Sequence, residues 1–140
     1  MINISQAAEP SYRVEDAPLI SCKALSVRQP YATWIATGLK TLEIRSWKTR
    51  YRGTLLICAG ARAMTRRELA AHGIDNPADY PLGVALCIVQ LVGCRPMTTE
   101  DEAAAWTTCA PGLYAWELAD IRPVEPFPFS GALGLMNFNG

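Results

Sequence analysis

Three side chains able to hold anions or move protons, Lys40, Glu43 and Arg45, fall within six consecutive residues. Leu42 and Ile44 alternate with them, so the segment reads as a strand with Glu43 and Arg45 on one face, about 7 Å apart by strand geometry. A carboxylate beside a guanidinium stays ionised and can accept from the amino group of a base. The arginine offers a planar fork for a phosphate or a base edge. Lys40 follows a glycine turn at Gly38, which leaves it free to project into a cleft. A lysine of lowered pKa can also act as a general base, with Glu43 as its acid–base partner. The plainer reading of Glu43 and Arg45 is an ion pair that braces structure.

Around this centre lie further groups suited to a nucleotide. Arg28 and Gln29 stand where a strand gives way to a helix, and backbone N–H groups at a helix start favour anions. Trp47 can stack on a base, and Arg50 and Arg52 extend a basic rim. From Arg28 to Arg67 there are nine basic residues against the single acid Glu43, a net +8, while the rest of the chain carries −8 and the whole is neutral. So divided a charge predicts one face built for an anion. Tyr31, Trp34, Trp47 and Tyr51 lie in the same stretch, as stacking surfaces beside phosphate-binding charge. Trp34, on the helix, is expected in the core, as are Trp106 and Trp116. Arg66 and Arg67 are expected as solvated helix charges, and His72 as a helix-end residue. Tyr114 and Glu117 can reach the cleft from a neighbouring strand.

The elements that must position these groups are short. Lys23 to Val27 reads as a first strand. A helix follows from Pro30, whose missing N–H costs nothing in a first turn, to about Thr37, and Gly38 ends it. Strands are expected over Thr41–Ser46 and Thr54–Ala59. Thr65-Arg66-Arg67-Glu68 is a capping box opening a helix that Gly73 stops. Asp75–Pro81 is a loop, and Val84–Val92 reads as a central strand buried on both faces. Thr99-Glu100-Asp101-Glu102 reads as a second capping box, opening a helix through Trp106. Leu113–Leu118 is a strand, Pro123–Pro128 an extended piece, and Ala132–Phe138 a last strand. The class is α+β: a small mixed β-barrel of five to seven strands capped by two or three short helices.

A chain of 140 residues holds about one domain. Residues 1–21 read as a polar N-terminal extension and 22–140 as a single domain. No apolar run approaches the ~18 residues of a membrane span. The five cysteines include no CxxC pair, and His72 is the single histidine, poor material for a zinc site. Cys58 and Cys87 fall in apolar strands, as reduced thiols in the core of a cytoplasmic protein. No cofactor, metal or membrane partner is expected, and a monomer is.

The block LSVRQPYATWIATGLKTLEIRSWKTRYRG, Leu25 to Gly53, resembles the ASCH (activating-signal-cointegrator homology) family, whose GxKxxExR pattern stands here as Gly38, Lys40, Glu43 and Arg45. LSVRQPYATWI and RSWKTRYRG are similar to the flanks of that motif in cointegrator-type members. DYPLGVALCIVQLVGC and LYAWELADIRPVEPFPFSGALGL are similar to their later strands. The resemblance spans about Lys23 to Phe138. Arg28 replaces a usual His, and Tyr31 a usual Trp. The resemblance implies a PUA-like barrel with a cleft beside the first helix, lined by Lys40, Glu43 and Arg45. Arg28 and Gln29 would form a wall, and Trp47, Arg50 and Arg52 a rim.

Two functions are expected from this reading. The first is a nucleic-acid-binding module, for RNA or DNA, taking a single-stranded or modified nucleotide in a basic cleft. The second is a small hydrolase acting on RNA or an acylated nucleoside, an amidohydrolase or ribonuclease, with Lys40 and Glu43 as its catalytic residues. The amidohydrolase members of the family carry Thr where Glu43 stands. A protein-interaction domain is the remaining class.

Overall fold

The computed structural model describes residues 21–129 and 134–139. It contains β1 (Ser21–Val27), α1 (Tyr31–Ala36), β2 (Leu42–Arg45), β3 (Gly53–Ala59), α2 (Arg66–Ala71), β4 (Val84–Pro96), α3 (Glu102–Ala105), β5 (Tyr114–Pro128) and β6 (Leu135–Asn139). Single 3-10 turns cover Pro77–Asp79 and Thr99–Asp101. The expected extension over 1–21 lies outside the described residues, except for Ser21, which opens β1. Ala132, the expected start of the last strand, also lies outside them.

The six strands form one sheet in the order β2-β5-β4-β3-β1-β6. Among the described strands only β1 and β3 run parallel, and α1 and β2 lie on the connection between them. The strand count and the three short helices agree with the expected α+β class, and the mixed sheet is open rather than fully closed into a barrel. Among the described residues, β2 and β6 end the sheet with no backbone ladder joining them. Repeated register shifts between β4 and β5 bend this long pair, since each bulge adds local twist. Extended pieces expected separately at Leu113–Leu118 and Pro123–Pro128 are one strand, β5.

Alternation along β1 and β3 divides the core. Leu25, Val27, Leu55 and Ile57 pack with Ala32 and Ile35 of α1 and with Trp116, while Cys22, Ala24, Leu56 and Cys58 face the other way. A strand buried on both faces must be apolar at successive positions, and β3 meets that over Leu55–Ala59. β4 meets it only in its first half, because Val92 is 59% exposed.

Each local device has a physical cause. Gly38, at φ +84°, ends α1 in a left-handed conformation that costs glycine little. Thr65 and Glu68 form the expected capping box of α2. The second box is shifted by one residue: Asp101 accepts from the N–H of Thr98, not Glu102 from Thr99. Arg95 donates to both oxygens of Asp101, at 2.8 and 2.9 Å, which ties β4 to the start of α3. These bonds hold the Asp101 carboxyl far below the usual carboxylate range. Trp106 leaves α3 in a left-handed conformation and is 41% exposed, contrary to its expected core position. Its indole N–H donates to the Leu39 carbonyl, and its ring packs on Trp34. Trp34 and Trp116 are fully buried, as expected.

Candidate functional site

A cleft of about 960 Å³ opens along the seam where the sheet fails to close. Its walls come from the end of β1 (Ser26, Val27, Arg28), from α1 through Tyr31, and from β2 and its continuation (Glu43 to Trp47). Lys40 contributes from the turn after α1, and Gly60, Ala61 and Arg62 from the segment after β3. Thr107 and Leu113 complete the lining.

The Arg45 side chain spans the seam. Among the described residues, pairing of β1 with β6 runs as far as Leu25. One residue further on, the Ser26 carbonyl accepts from Arg45 Nη2 at 2.7 Å. The other side of the Arg45 guanidinium donates through Nε to Glu43 Oε2 at 3.0 Å. Alternation along β2 sets these two side chains on one face, and β5 supports them from behind, with Glu43 opposite Trp116 and Arg45 opposite Tyr114.

Lys40 reaches the same point from the turn. The Gly38 stop lets the Lys40 N–H bond the Trp34 carbonyl, folding the chain back over α1. Its Nζ lies 3.5 Å from Glu43 Oε1, donates to the Ala105 carbonyl, and sits 5.3 Å above the Tyr31 ring. Lys40 is 1% exposed, so it does not project freely as expected but forms part of the cleft floor. Burial lowers its pKa, and the Glu43 carboxylate partly offsets that by favouring the charged form. Glu43, 7% exposed, therefore takes one cation on each oxygen. A carboxylate has about four acceptor sites, so the pair leaves capacity for a guest's donors.

The rim is aromatic on one side and basic on the other. Trp47 is 36% exposed and stands edge-on to the buried Trp116, with ring centroids 4.8 Å apart. Trp116 Nε1 donates to the Trp47 carbonyl at 3.3 Å, fixing the base of the exposed indole. Arg28 and Arg62 both donate to Glu68 Oε2, at 2.8 and 2.9 Å. The Thr65 N–H of the α2 cap, and after it Arg62, hold the Glu68 carboxyl down at about 2.

The structure thus brings Arg28, Lys40, Glu43, Arg45 and Trp47 to one cleft. Gln29 is elsewhere. It is 1% exposed and pins the start of α1, accepting from the Thr33 N–H and donating to Thr33 Oγ1 and the Pro81 carbonyl. Arg50 and Arg52 are exposed outside the lining, and Arg52 donates to the Thr49 and Tyr51 carbonyls. Tyr114 and Glu117 do not line the cleft, and Glu117 instead accepts from Arg95 at 3.4 Å. Arg66 and Arg67 are exposed on α2, and His72 caps its end, as expected. Ser26, Arg62 and Thr107 were missed as lining residues. Only Arg62 carried a signal, as part of the basic stretch.

Among the described residues no group of three or more His, Cys, Asp or Glu side chains is placed to hold a metal ion. All five cysteines are unpaired thiols. No described helix is long and apolar enough to cross a membrane.

A family model described as the ASCH domain matches residues 25–128. Activating signal cointegrator 1 of Homo sapiens is 39% identical over 80 residues, which is 50% of this chain and 14% of that protein. Its counterpart in Mus musculus is 36% identical over the same shares. The match therefore spans about a seventh of the length of these curated relatives. Among solved structures, a mutant of an ASCH protein from Zymomonas mobilis is similar, with a TM-score of 0.51 at 16% identity, covering 76% of this chain and 74% of that one.

Proposed function

Because the chain belongs to the ASCH domain family, we propose that it is a nucleic-acid-binding module whose seam cleft takes a single unpaired or modified nucleotide, with RNA as the favoured polymer. The observation that carries this reading is the convergence of Lys40, Glu43 and Arg45 on one side of a 960 Å³ cleft whose rim bears Trp47 and two arginines. A cavity of that volume accommodates a nucleoside with its phosphate. Glu43 accepts from an exocyclic amino group. Lys40 and Arg45 flank that carboxylate and offer donors to a carbonyl oxygen. Trp47 stacks on a base or its neighbour. Lys48, Arg50, Arg66 and Arg67, all exposed and without a side-chain partner among the described residues, attract the polymer backbone. Sequence reading of a duplex groove is not the geometry favoured here. A pocket of this kind suits a base already out of its stack.

The test is a fluorescence titration of single-stranded oligonucleotides at several salt concentrations. If some six phosphates are neutralised, log affinity falls against log salt with a slope of about −4 to −5. An affinity indifferent to salt, or one unchanged by Trp47→Ala, overturns the reading.

A hydrolase acting on RNA or an acylated nucleoside is the second reading. It is favoured by one observation, the buried amine of Lys40, its pKa lowered, beside a carboxylate. A lysine so placed is a candidate general base. Incubation with N4-acetylcytidine and with RNA, against a Lys40→Ala control, decides it; absence of turnover in both leaves binding alone.

A further inference from the structure

We propose that Arg28 and Arg62 form a phosphate subsite at the mouth of the cleft, and that Glu68 of α2 occupies it as a built-in competitor. The inference rests on the binding reading above and deepens it, by naming the group that enters with the base and the device that guards it.

The two arginines come from distant points, one at the end of β1 and one after β3, yet both donate to the same oxygen, Glu68 Oε2, at 2.8 and 2.9 Å. Arg62 also reaches Oε1 at 3.3 Å. Two guanidinium groups that converge on one carboxylate oxygen define a place sized for an anion. Both line the cleft, and each is about half exposed, at 58% and 49%, so solvent and ligand reach them. Two positive charges face one negative charge, leaving a net +1. A phosphate monoester, near −2 at neutral pH, matches the pair better than the carboxylate does, and its three oxygens suit two planar forks.

The competitor is able to leave. α2 has no buried residue, so a swing of the Glu68 side chain away from the arginines uncovers no core. Glu68 is held by its arginines and by the cap with Thr65, in which its Oε1 accepts from the Thr65 N–H at 2.9 Å. An entering phosphate takes over the arginines while that cap bond can persist. Nucleotides carrying phosphate are thereby selected over bare nucleosides, and weak anions are kept out.

Glu68→Gln separates the two roles, because Gln at this position preserves a capping box while removing the charge. The probes are inorganic phosphate, a panel of nucleosides, their 5′-monophosphates and a dinucleotide, read by calorimetry and by amide chemical shifts. Losing the competing charge should tighten phosphate-bearing probes by about three- to tenfold, the range that one or two partly exposed ion pairs command. Nucleosides should not change, and Arg62→Ala in the Glu68→Gln background should erase the gain. A dinucleotide that gains as much as the monophosphates identifies an internal diester as the guest; a gain confined to monophosphates identifies a chain end. Glu68→Gln binding phosphate-bearing probes no tighter than the parent overturns the inference. If nucleosides still bind in that case, the binding reading survives alone. If inorganic phosphate gains while no nucleoside or nucleotide base is sensed, the subsite stands and the binding reading falls.

Discussion

Glu43→Gln isolates the electrostatic joint on which the cleft depends. The substitution keeps the shape of the side chain and one acceptor oxygen but removes the charge between two cations. Lys40, 1% exposed, would then face only neutral acceptors, namely the Ala105 carbonyl and the new amide. Breaking a buried ion pair by deleting one partner costs about 3–5 kcal/mol, and the retained amide and the partial exposure of Arg45 reduce that to roughly 2–4 kcal/mol. At about 3 °C per kcal/mol for a chain of this size, the midpoint of thermal unfolding should fall by roughly 6–12 °C. The pH dependence has a definite sign. Burial already lowers the Lys40 pKa below its ordinary 10.5. Between the folded and unfolded values the unfolded chain binds more protons, so stability rises with pH in that window. Glu43 opposes the lowering, so its loss deepens the shift and widens the window downward. Urea denaturation should therefore show the variant's deficit at neutral pH and a partial recovery towards pH 10. Lys40→Met combined with Glu43→Gln should be less damaging than the single change at Glu43, since no uncompensated ammonium remains. A Glu43→Gln deficit under about 0.5 kcal/mol, or one that does not vary with pH, would refute the joint.

Trp47→Ala should weaken binding of single-stranded oligonucleotide by about 1–3 kcal/mol, the worth of one stacked base, in a fluorescence-anisotropy titration. Replacing both Arg66 and Arg67 by Ala should make the salt slope shallower by roughly 1.4, with the thermal midpoint almost unmoved, if each meets one phosphate of a single strand. Asp101→Asn should cost about 1–3 kcal/mol in urea unfolding, because the fork from Arg95 and the cap on Thr98 lose their charge. The Asp101 carboxyl is depressed in the folded state, so the stability it confers is present above about pH 4 and fades as the solution is acidified; the Asn variant should lack that acid-side loss. Burial pushes the Cys58 thiol up to about 12 and raises Cys22 and Cys87 as well, so a thiol reagent at pH 8 should label only Cys94 and Cys109 in the native protein.

Much of the fold was legible because its local signals are strong. Gly38 and the Thr65–Glu68 box mark helix ends through hydrogen bonds that involve near neighbours alone, and both lie where the residues place them. The second box slipped by a residue because Thr98 and Thr99 offer equivalent caps to local chemistry; Arg95, from another strand, draws Asp101 into the role. The exposure of Trp106 was hidden for a similar reason, since its position depends on a bond to the distant Leu39 carbonyl. Within the site, Lys40, Glu43 and Arg45 were readable from alternation and from the family's motif. Gln29 misled because its neighbour Arg28 does face the cleft, whereas the strand-to-helix corner turns Gln29 inward to satisfy its own amide. Openness of the sheet was not readable at all. Strand order and closure follow from long-range pairing, which periodicity does not encode.

The Arg45 guanidinium that crosses between Ser26 and Glu43 has a mechanical meaning. A continuous backbone ladder would have zipped the two rims together, and only cooperative rupture of several bonds would part them. Here a rotatable arm of one residue works as a clasp. On the binding reading proposed above, a guest that competes for that arm would loosen the domain at the place where it enters. The spacing of the jaws is then a property that one substitution can retune while the sheet behind them stays as it is.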